Sequence, residues 1–557
     1  MPITSIGAIK IWPENCSNSE RTSLGLSRAL GAILLVVGIP GVSPPSEALG
    51  GVPAEPARGV VLPTNPESIA GEQVFITAQP GAVITVGDDQ FAGPLVLTAS
   101  DEGLVLTETM SPESYLLGIR EVPFSWPDEA LKAQAVAART YLAFTLANGR
   151  TATGSRYGYD ICATTACQVY AGRLGLETID GQRWSQAVAS TAGEILLFDG
   201  RPAQALYSST AGARTRESED IFPGLDVPYL SAVPSAAEDS PFVTWSFAIS
   251  EAEMTALLAE AELLHGPVNS VGVEQTADGQ GPWQVVVSSG RETERIASYR
   301  FRSDINRAAA AIMPERLPAE RPDGRRYPQT VLSGTYTITS QPTMVDHGHY
   351  RELGRNYVFN GEGWGHQVGM SQFGALAMAE GGAAYGDILA HYYGGLRPEP
   401  AGGWLPPSIT VGLVVEVPEL ELLAAQGANV TVDGEEVADG FAAWQFAEVD
   451  GRVSARVPIG IGTAPEISHS RLPYTVGGHH LRFETSAPAF ITLHATVDGE
   501  VGGGVDLGLL NAGAYEIPFS DLAADRLTDR SRFEVVIAAR SPHGDARARL
   551  VGVPERR

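Results

Sequence analysis

Lysine is nearly absent from this 557-residue chain: it occurs only at Lys10 and Lys132, and every other basic side chain is arginine. Positive charge is scarce as a whole, with 38 Lys+Arg against 65 Asp+Glu and a net charge of −27. Nucleic acid and anionic membrane surfaces both reward dense positive charge, so neither fits as the main partner. No Gly-Lys-Ser/Thr ending closes any glycine-rich stretch, which excludes a P-loop phosphate cradle. No Gly-x-Ser-x-Gly elbow surrounds the hydroxyl run at Tyr207–Gly212, so nothing local supports a serine nucleophile. Cysteine is limited to Cys16, Cys162 and Cys167. Disorder on a large scale is excluded by 44% hydrophobic and 18% charged residues.

Only one long apolar run exists, residues 29–43, preceded by Arg21 and Arg28 and followed by Ser46-Glu47-Ala48. It is too short and too interrupted by Gly and Pro for a comfortable transmembrane helix, which needs about 20 apolar residues. The pattern predicts a secretory signal over residues 1–48, with an uncleaved anchor as the alternative. Lys10, Arg21 and Arg28 balance Glu14, Glu20 and Glu47, so cleavage leaves the net charge unchanged. It would also remove Cys16 and leave Cys162 and Cys167 as an even pair in an oxidising compartment.

Residues 49–72 are rich in Pro, Ala and Gly and read as a linker. From Gln73 to Thr109 apolar and polar residues alternate between Gly and Asp breaks, the pattern of short strands and hairpins. At Ser125-Trp126-Pro127-Asp128-Glu129 a capping residue, an early proline and two acids open about 20 Ala/Leu-rich residues ending at Asn148-Gly149, a helix. Strand-turn-strand is expected around Asp199-Gly200, a helix over Glu251–Leu264, a hairpin over Val271–Ser288, and a glycine-rich loop running into a helix over Tyr357–Gly395. Past the Pro398–Pro407 segment alternation dominates again. The expected class is α+β: a mixed domain over 73–400, with 235–340 as an inserted subdomain, then a β-sandwich-like accessory domain over 401–557.

Two stretches could carry chemistry. In Tyr115-Leu-Leu-Gly-Ile-Arg-Glu121-Val-Pro, Glu121 stands among apolar neighbours, where desolvation would raise its pKa toward the range of a general acid. Lys132 and Arg139 follow on the predicted helix, seven residues and about 10.5 Å apart on one face. The second stretch is Asn360-Gly-Glu362-Gly-Trp364-Gly-His366-Gln-Val-Gly-Met-Ser371-Gln372. Its glycines allow close backbone approach to a ligand, and Trp364 offers a face that suits a sugar ring. Tyr207 and Ser208 open a hydroxyl run able to bond an acetamido sugar.

Together these segments resemble the SpoIID/LytB family, whose best-known members are sporulation lytic transglycosylases that trim peptidoglycan. The resemblance spans roughly residues 75–397, including Gln168-Val-Tyr-Ala-Gly172 and Thr191-Ala-Gly-Glu-Ile-Leu. It implies Glu121 of the Glu-x-Pro motif as catalytic acid, Lys132 and Arg139 as the helix pair beside it, and Ser371-Gln372 as a pair needed for activity. Tyr207, Ser208, Trp364 and His366 join these as expected glycan-binding residues. Gln367 departs from the family pattern, which usually has Gly after the His. The resemblance implies peptidoglycan glycan strands as substrate, no cofactor, a location outside the cell or in the wall, and a cell-wall amidase as partner if the chain acts as an enhancer. One Glu suffices for a lytic transglycosylase, whereas a hydrolase usually needs two carboxylates, for which Glu362 and Asp160 are candidates. Some relatives hold zinc where Cys162 and Cys167 stand. Tyr157, Tyr159 and Ala166 leave this segment without His, which favours a disulfide and no metal. His391 and the pair His479-His480 read as structural or exposed.

Overall fold

A computed structural model of the chain describes residues 68–552, apart from 79–82, 236–237, 276–282, 291, 347–348, 350, 433–434, 457–464, 470–479, 488, 498–499, 511–512, 519–532 and 542–543. The expected signal segment, most of the linker, Cys16 and His479 lie outside the described residues. With 25% helix and 40% strand the class is α+β. Among the described residues no helix is long and apolar enough to cross a membrane.

Those residues form two units. The first, a sheet unit, combines 68–123, 148–182 and 405–552. Its main sheet has 11 strands, and its centre runs Glu419–Val432, Gln73–Ala78, Leu95–Ser100, Gly103–Met110, Ile409–Val417. Alternation sets the faces: in Gln73–Ala78, Val74 and Ile76 are buried and Phe75 is 37% exposed. The structure here departs from a linear division at residue 400. Ile409–Val417 pairs antiparallel with Gly103–Met110, and Glu419–Val432 with Gln73–Ala78, so residues far apart in sequence share one sheet. The strand pair Leu95–Ser100 and Gly103–Met110 needs hydrogen-bonding neighbours on both sides: Gln73–Ala78 supplies one and the returning Ile409–Val417 the other. Farther on, Leu481, Phe483 and Tyr515 from a three-stranded sheet and Ile491, Leu493, Val535 and Ile537 from a four-stranded sheet join one apolar cluster.

The second unit combines 124–147 and 183–404. Its long helix, Asp128–Asn148, begins after Pro127 with two acids in the first turn, and Gly149 at φ +82 follows its end. Ala130, Leu131, Ala133 through Thr140, Leu142 and Ala143 are buried, which covers every face of the helix rather than one stripe. Val136 packs with Leu196, Leu230, Val368, Met370, Ile388 and Tyr392. Within the span read as an inserted subdomain, Thr244–Ser250 pairs with Arg351–Glu362, which pairs in turn with Tyr336–Asp346. Ser270–Glu274 and Gln284–Ser288 form the expected hairpin.

Candidate functional site

In the sheet unit, two distant motifs are stitched together. Arg120 N donates to Val169 O at 2.9 Å and Ala171 N to Gly118 O at 2.9 Å, so residues 118–121 run antiparallel to 169–171. The next donor along, Val169 N, gives its hydrogen bond to Glu121 Oε1 at 2.7 Å. A loop carboxylate is thereby held by a backbone group. Gly118 is required because a methyl there would lie 2.1 Å from the Tyr170 ring. Tyr170 stacks on Tyr115 at 5.1 Å and donates to the buried Glu108 at 2.9 Å, while Gln168 Nε2 donates to Tyr115 Oη at 3.2 Å. Burial pushes Glu108 above the ordinary carboxylate range, although the Tyr170 hydroxyl and the Gly93 amide work against it. The Arg120 guanidinium meets the carbonyls of Leu117, Ile119 and Leu174, and burial lowers it to about 10.

Cys162 and Cys167 are bonded to each other with Cα atoms 5.6 Å apart. Among the described residues no group of three or more His, Cys, Asp or Glu is placed to hold a metal. With both sulfurs in the disulfide and no His in the segment, a zinc site does not fit here. Asp160, a candidate second carboxylate, is committed to the fold: Oδ1 accepts from Arg150 at 2.8 Å and Oδ2 from Thr410 N at 2.8 Å.

In the other unit, the glycine-rich loop is locked from beneath. Tyr207–Ser208 pairs in parallel with Met370–Ser371, and Trp364 exchanges backbone bonds with Thr210 at 2.8 and 3.2 Å. Ser208 is buried and accepts from Gln367 N at 3.1 Å; it supports the loop and offers no hydroxyl outward. His366 is likewise a loop pin, with Nδ1 accepting from Val368 N at 3.0 Å. Burial lowers His366 to about 4, with Arg302 adding to the shift, so the ring is neutral at pH 7. Trp364 is half-buried and meets Phe242 edge-on at 4.9 Å. Gln367 keeps the left-handed backbone that a glycine would take, at φ +63. Its side chain offsets that strain by donating to Ala211 O at 2.8 Å and accepting from Thr335 at 2.7 Å.

Ser371 caps the helix Gln372–Glu380, accepting from Gly374 N at 3.2 Å, and donates to Glu238 Oε1 at 2.5 Å. Glu238 was not singled out from the sequence. Its only local signal is Ser235 three residues before it, whose hydroxyl donates at 2.7 Å; its other partners, Ser371 and the amides of Ala211 and Gly212, come from remote segments. Glu362 lies on the other side of Gly212, where an added methyl would be 3.3 Å from its carboxyl. Burial raises both carboxyl groups above their usual range, and each Glu362 charge is further opposed by Glu238 and eased by Arg216. Gln372 Nε2 is 3.4 Å from Gln134 Oε1 on the long helix.

The helix pair separates into two roles. Lys132 is partly exposed, bonded to Glu129 at 2.7 Å and 5.9 Å from the centre of the Tyr385 ring. Arg139, expected beside Lys132 as a glycan-binding residue, faces the protein interior. It is fully buried and donates to Val188 O at 3.2 Å, Glu194 O at 3.2 Å and Thr191 Oγ1 at 3.4 Å, clamping the turn after helix Ile179–Ser190. A helix buried on all faces leaves no solvated stripe for it. His391, as expected, is structural, bonded to Pro234 O at 2.8 Å.

The model of the stage II sporulation protein family SpoIID matches residues 100–198, a span that holds Glu121, Lys132, Arg139 and the Gln168–Gly172 segment. Over that span the chain is similar to the SpoIID family. A Brachyspira hyodysenteriae protein is 27% identical over 339 residues, 60% of this chain and 78% of the relative. Stage II sporulation protein D of Bacillus amyloliquefaciens is 27% identical over 337 residues, 58% of this chain and 83% of the relative. The Amidase enhancer of Bacillus subtilis is 28% identical over 290 residues, 49% of this chain, and the match spans only 38% of that relative. Glu121 and the Ser371–Glu238 pair belong to different units.

Proposed function

We propose that this chain is a secreted peptidoglycan lytic transglycosylase that cleaves the MurNAc-GlcNAc bond with Glu121 as single acid and base. The observation carrying this reading is Glu121 in its Glu-x-Pro motif, with one carboxylate oxygen held at 2.7 Å by the amide of Val169. A backbone-held carboxylate keeps its aim through a proton cycle, which one group must perform twice. As acid, Glu121 gives its proton to the leaving glycosidic oxygen. As carboxylate, it then takes the proton of the muramic C6 hydroxyl while that oxygen bonds C1, and the product is a 1,6-anhydro sugar. Commitment of both Asp160 oxygens to Arg150 and Thr410 argues against Asp160 as a second, hydrolytic carboxylate.

A second reading rests on the similarity to the Amidase enhancer: the chain holds glycan while a cell-wall amidase cuts. Mass spectrometry of muropeptides released by the purified chain alone separates the two. Anhydro ends support the enzyme, and no release without an added amidase supports the enhancer.

A further inference from the structure

In the second unit, the sheet of Thr244–Ser250, Arg351–Glu362 and Tyr336–Asp346 presents a face that neither reading uses. Its register sets Thr244 opposite Glu362, and Ser246 and Thr337 opposite Asn360. Side chains at i and i+2 share a face, so these polar residues form one patch. The alternate residues Trp245, Phe247, Tyr336 and Phe359 are buried and packed ring on ring on the other side, which fixes the patch in place. The patch floors a cleft of about 790 Å³, within the usual range for ligand sites.

The walls carry two kinds of chemistry. Trp283 supplies a partly exposed aromatic ring, and the buried Tyr327 closes the cleft edge with its hydroxyl bonded to the Ser246 backbone. Trp283 is backed by the Arg216 guanidinium, 5.2 Å from its ring, and Arg216 is buried with no partner for Nε. Across the cleft, Arg321 is neutralised by Asp323 at 2.8 Å. With Arg216 offsetting Glu362 as Asp323 offsets Arg321, the cleft carries no charge excess of either sign, and a row of hydroxyls and amides is left to recognise a neutral ligand. Ser246 donates to Asn360 Oδ1 at 2.8 Å, which leaves the Asn360 amide hydrogens as donors. A flat aromatic wall over a floor of donors and acceptors suits a ring with apolar faces and a polar rim.

We propose that this cleft is a saccharide-binding subsite for N-acetylated amino-sugar units of a glycan strand. The amino-sugar class rests on the reading of the chain as acting on peptidoglycan; binding of a saccharide as such does not. The test is calorimetric titration of the full chain carrying Glu121→Gln with chitotetraose, alongside the same protein with Trp283→Ala, Trp283→Phe or Asn360→Ala. The expected result is saturable binding, weakened about tenfold or more by Trp283→Ala and by Asn360→Ala and largely retained by Trp283→Phe. Trp283→Phe keeps a ring against Arg216, and Asn360 is exposed, so Asn360→Ala serves as the folded control if Trp283→Ala does not fold. No saturable binding, or unchanged affinity in Asn360→Ala and Trp283→Ala, overturns the proposal. So does tighter binding of tetralysine than of chitotetraose, which would make this a cationic-peptide site. If Glu121→Gln still cleaves glycan, the enzyme reading fails while the titration still judges the cleft.

Discussion

The Glu121 segment and the glycine-rich loop each hold carboxylates, and they hold them differently. Glu121 is gripped by the backbone of one neighbouring segment, Gln168–Gly172, with Tyr115, Tyr170 and Glu108 layered behind it. Glu238 is gripped by the hydroxyls of Ser235 and Ser371 together with the backbone amides of Ala211 and Gly212. The first arrangement fixes one oxygen with a backbone donor. The second depends on each hydroxyl, and it ties its carboxylate into the fold. The contrast separates a carboxylate held by a backbone amide from one tied into a hydroxyl network, and the long helix shows a split of its own between the partly exposed Lys132 and the fully buried Arg139.

The largest expected effect tests the first region. Glu121→Gln keeps size and shape but cannot cycle a proton, so the cleavage rate should fall by about 10²–10⁴-fold with melting nearly unchanged. A variant as fast as the parent removes Glu121 from the chemistry. Next comes the helix: Arg139→Ala strands the carbonyls of Val188 and Glu194 and should cost about 3 kcal/mol in urea unfolding. A loss of activity with unchanged stability would return Arg139 to a direct role.

Titration sharpens the comparison further, because Asp89 in the sheet unit and His366 in the glycine-rich loop respond to pH in opposite directions. Burial raises Asp89 in the sheet unit from 3.8 to about 6, helped by Asp88 and opposed by Arg120. The folded chain holds that proton more tightly, so this contribution to stability is full below 3.8 and is lost as pH rises to about 6. His366 runs the other way: it is lowered from 6.5 to about 4, so its contribution is present above 6.5 and is lost as pH falls toward 4. Asp89→Asn should flatten the first slope and His366→Gln the second, read as urea midpoints between pH 4 and 7. Parent-like slopes in both variants would contradict these assignments. The smallest effect belongs to Lys132→Ala: its partly exposed pair with Glu129 is worth about a few tenths of a kcal/mol, so melting should hardly move.

Local patterns were legible in the sequence where local physics decides them. The Pro127–Gly149 helix carries its own start and stop signals, and the alternation of Gln73–Ala78 sets its buried face. The Glu121 motif was visible as well. Pairing of Ile409–Val417 with Gly103–Met110 was not, because no local residue encodes which distant strand completes a sheet. Arg139 misled for a related reason: helical spacing gives a residue's face but not what covers it, and here every face is covered. Glu238 escaped notice because three of its hydrogen-bond donors come from segments 26 to 133 residues away.

The central claim, a single-carboxylate cleavage by Glu121, is tested most directly by mass spectrometry of the ends produced from purified glycan by the parent chain and by Glu121→Gln. The account predicts 1,6-anhydro ends from the parent and almost none from the variant. Reducing ends from the parent, or anhydro ends undiminished in Glu121→Gln, would contradict it.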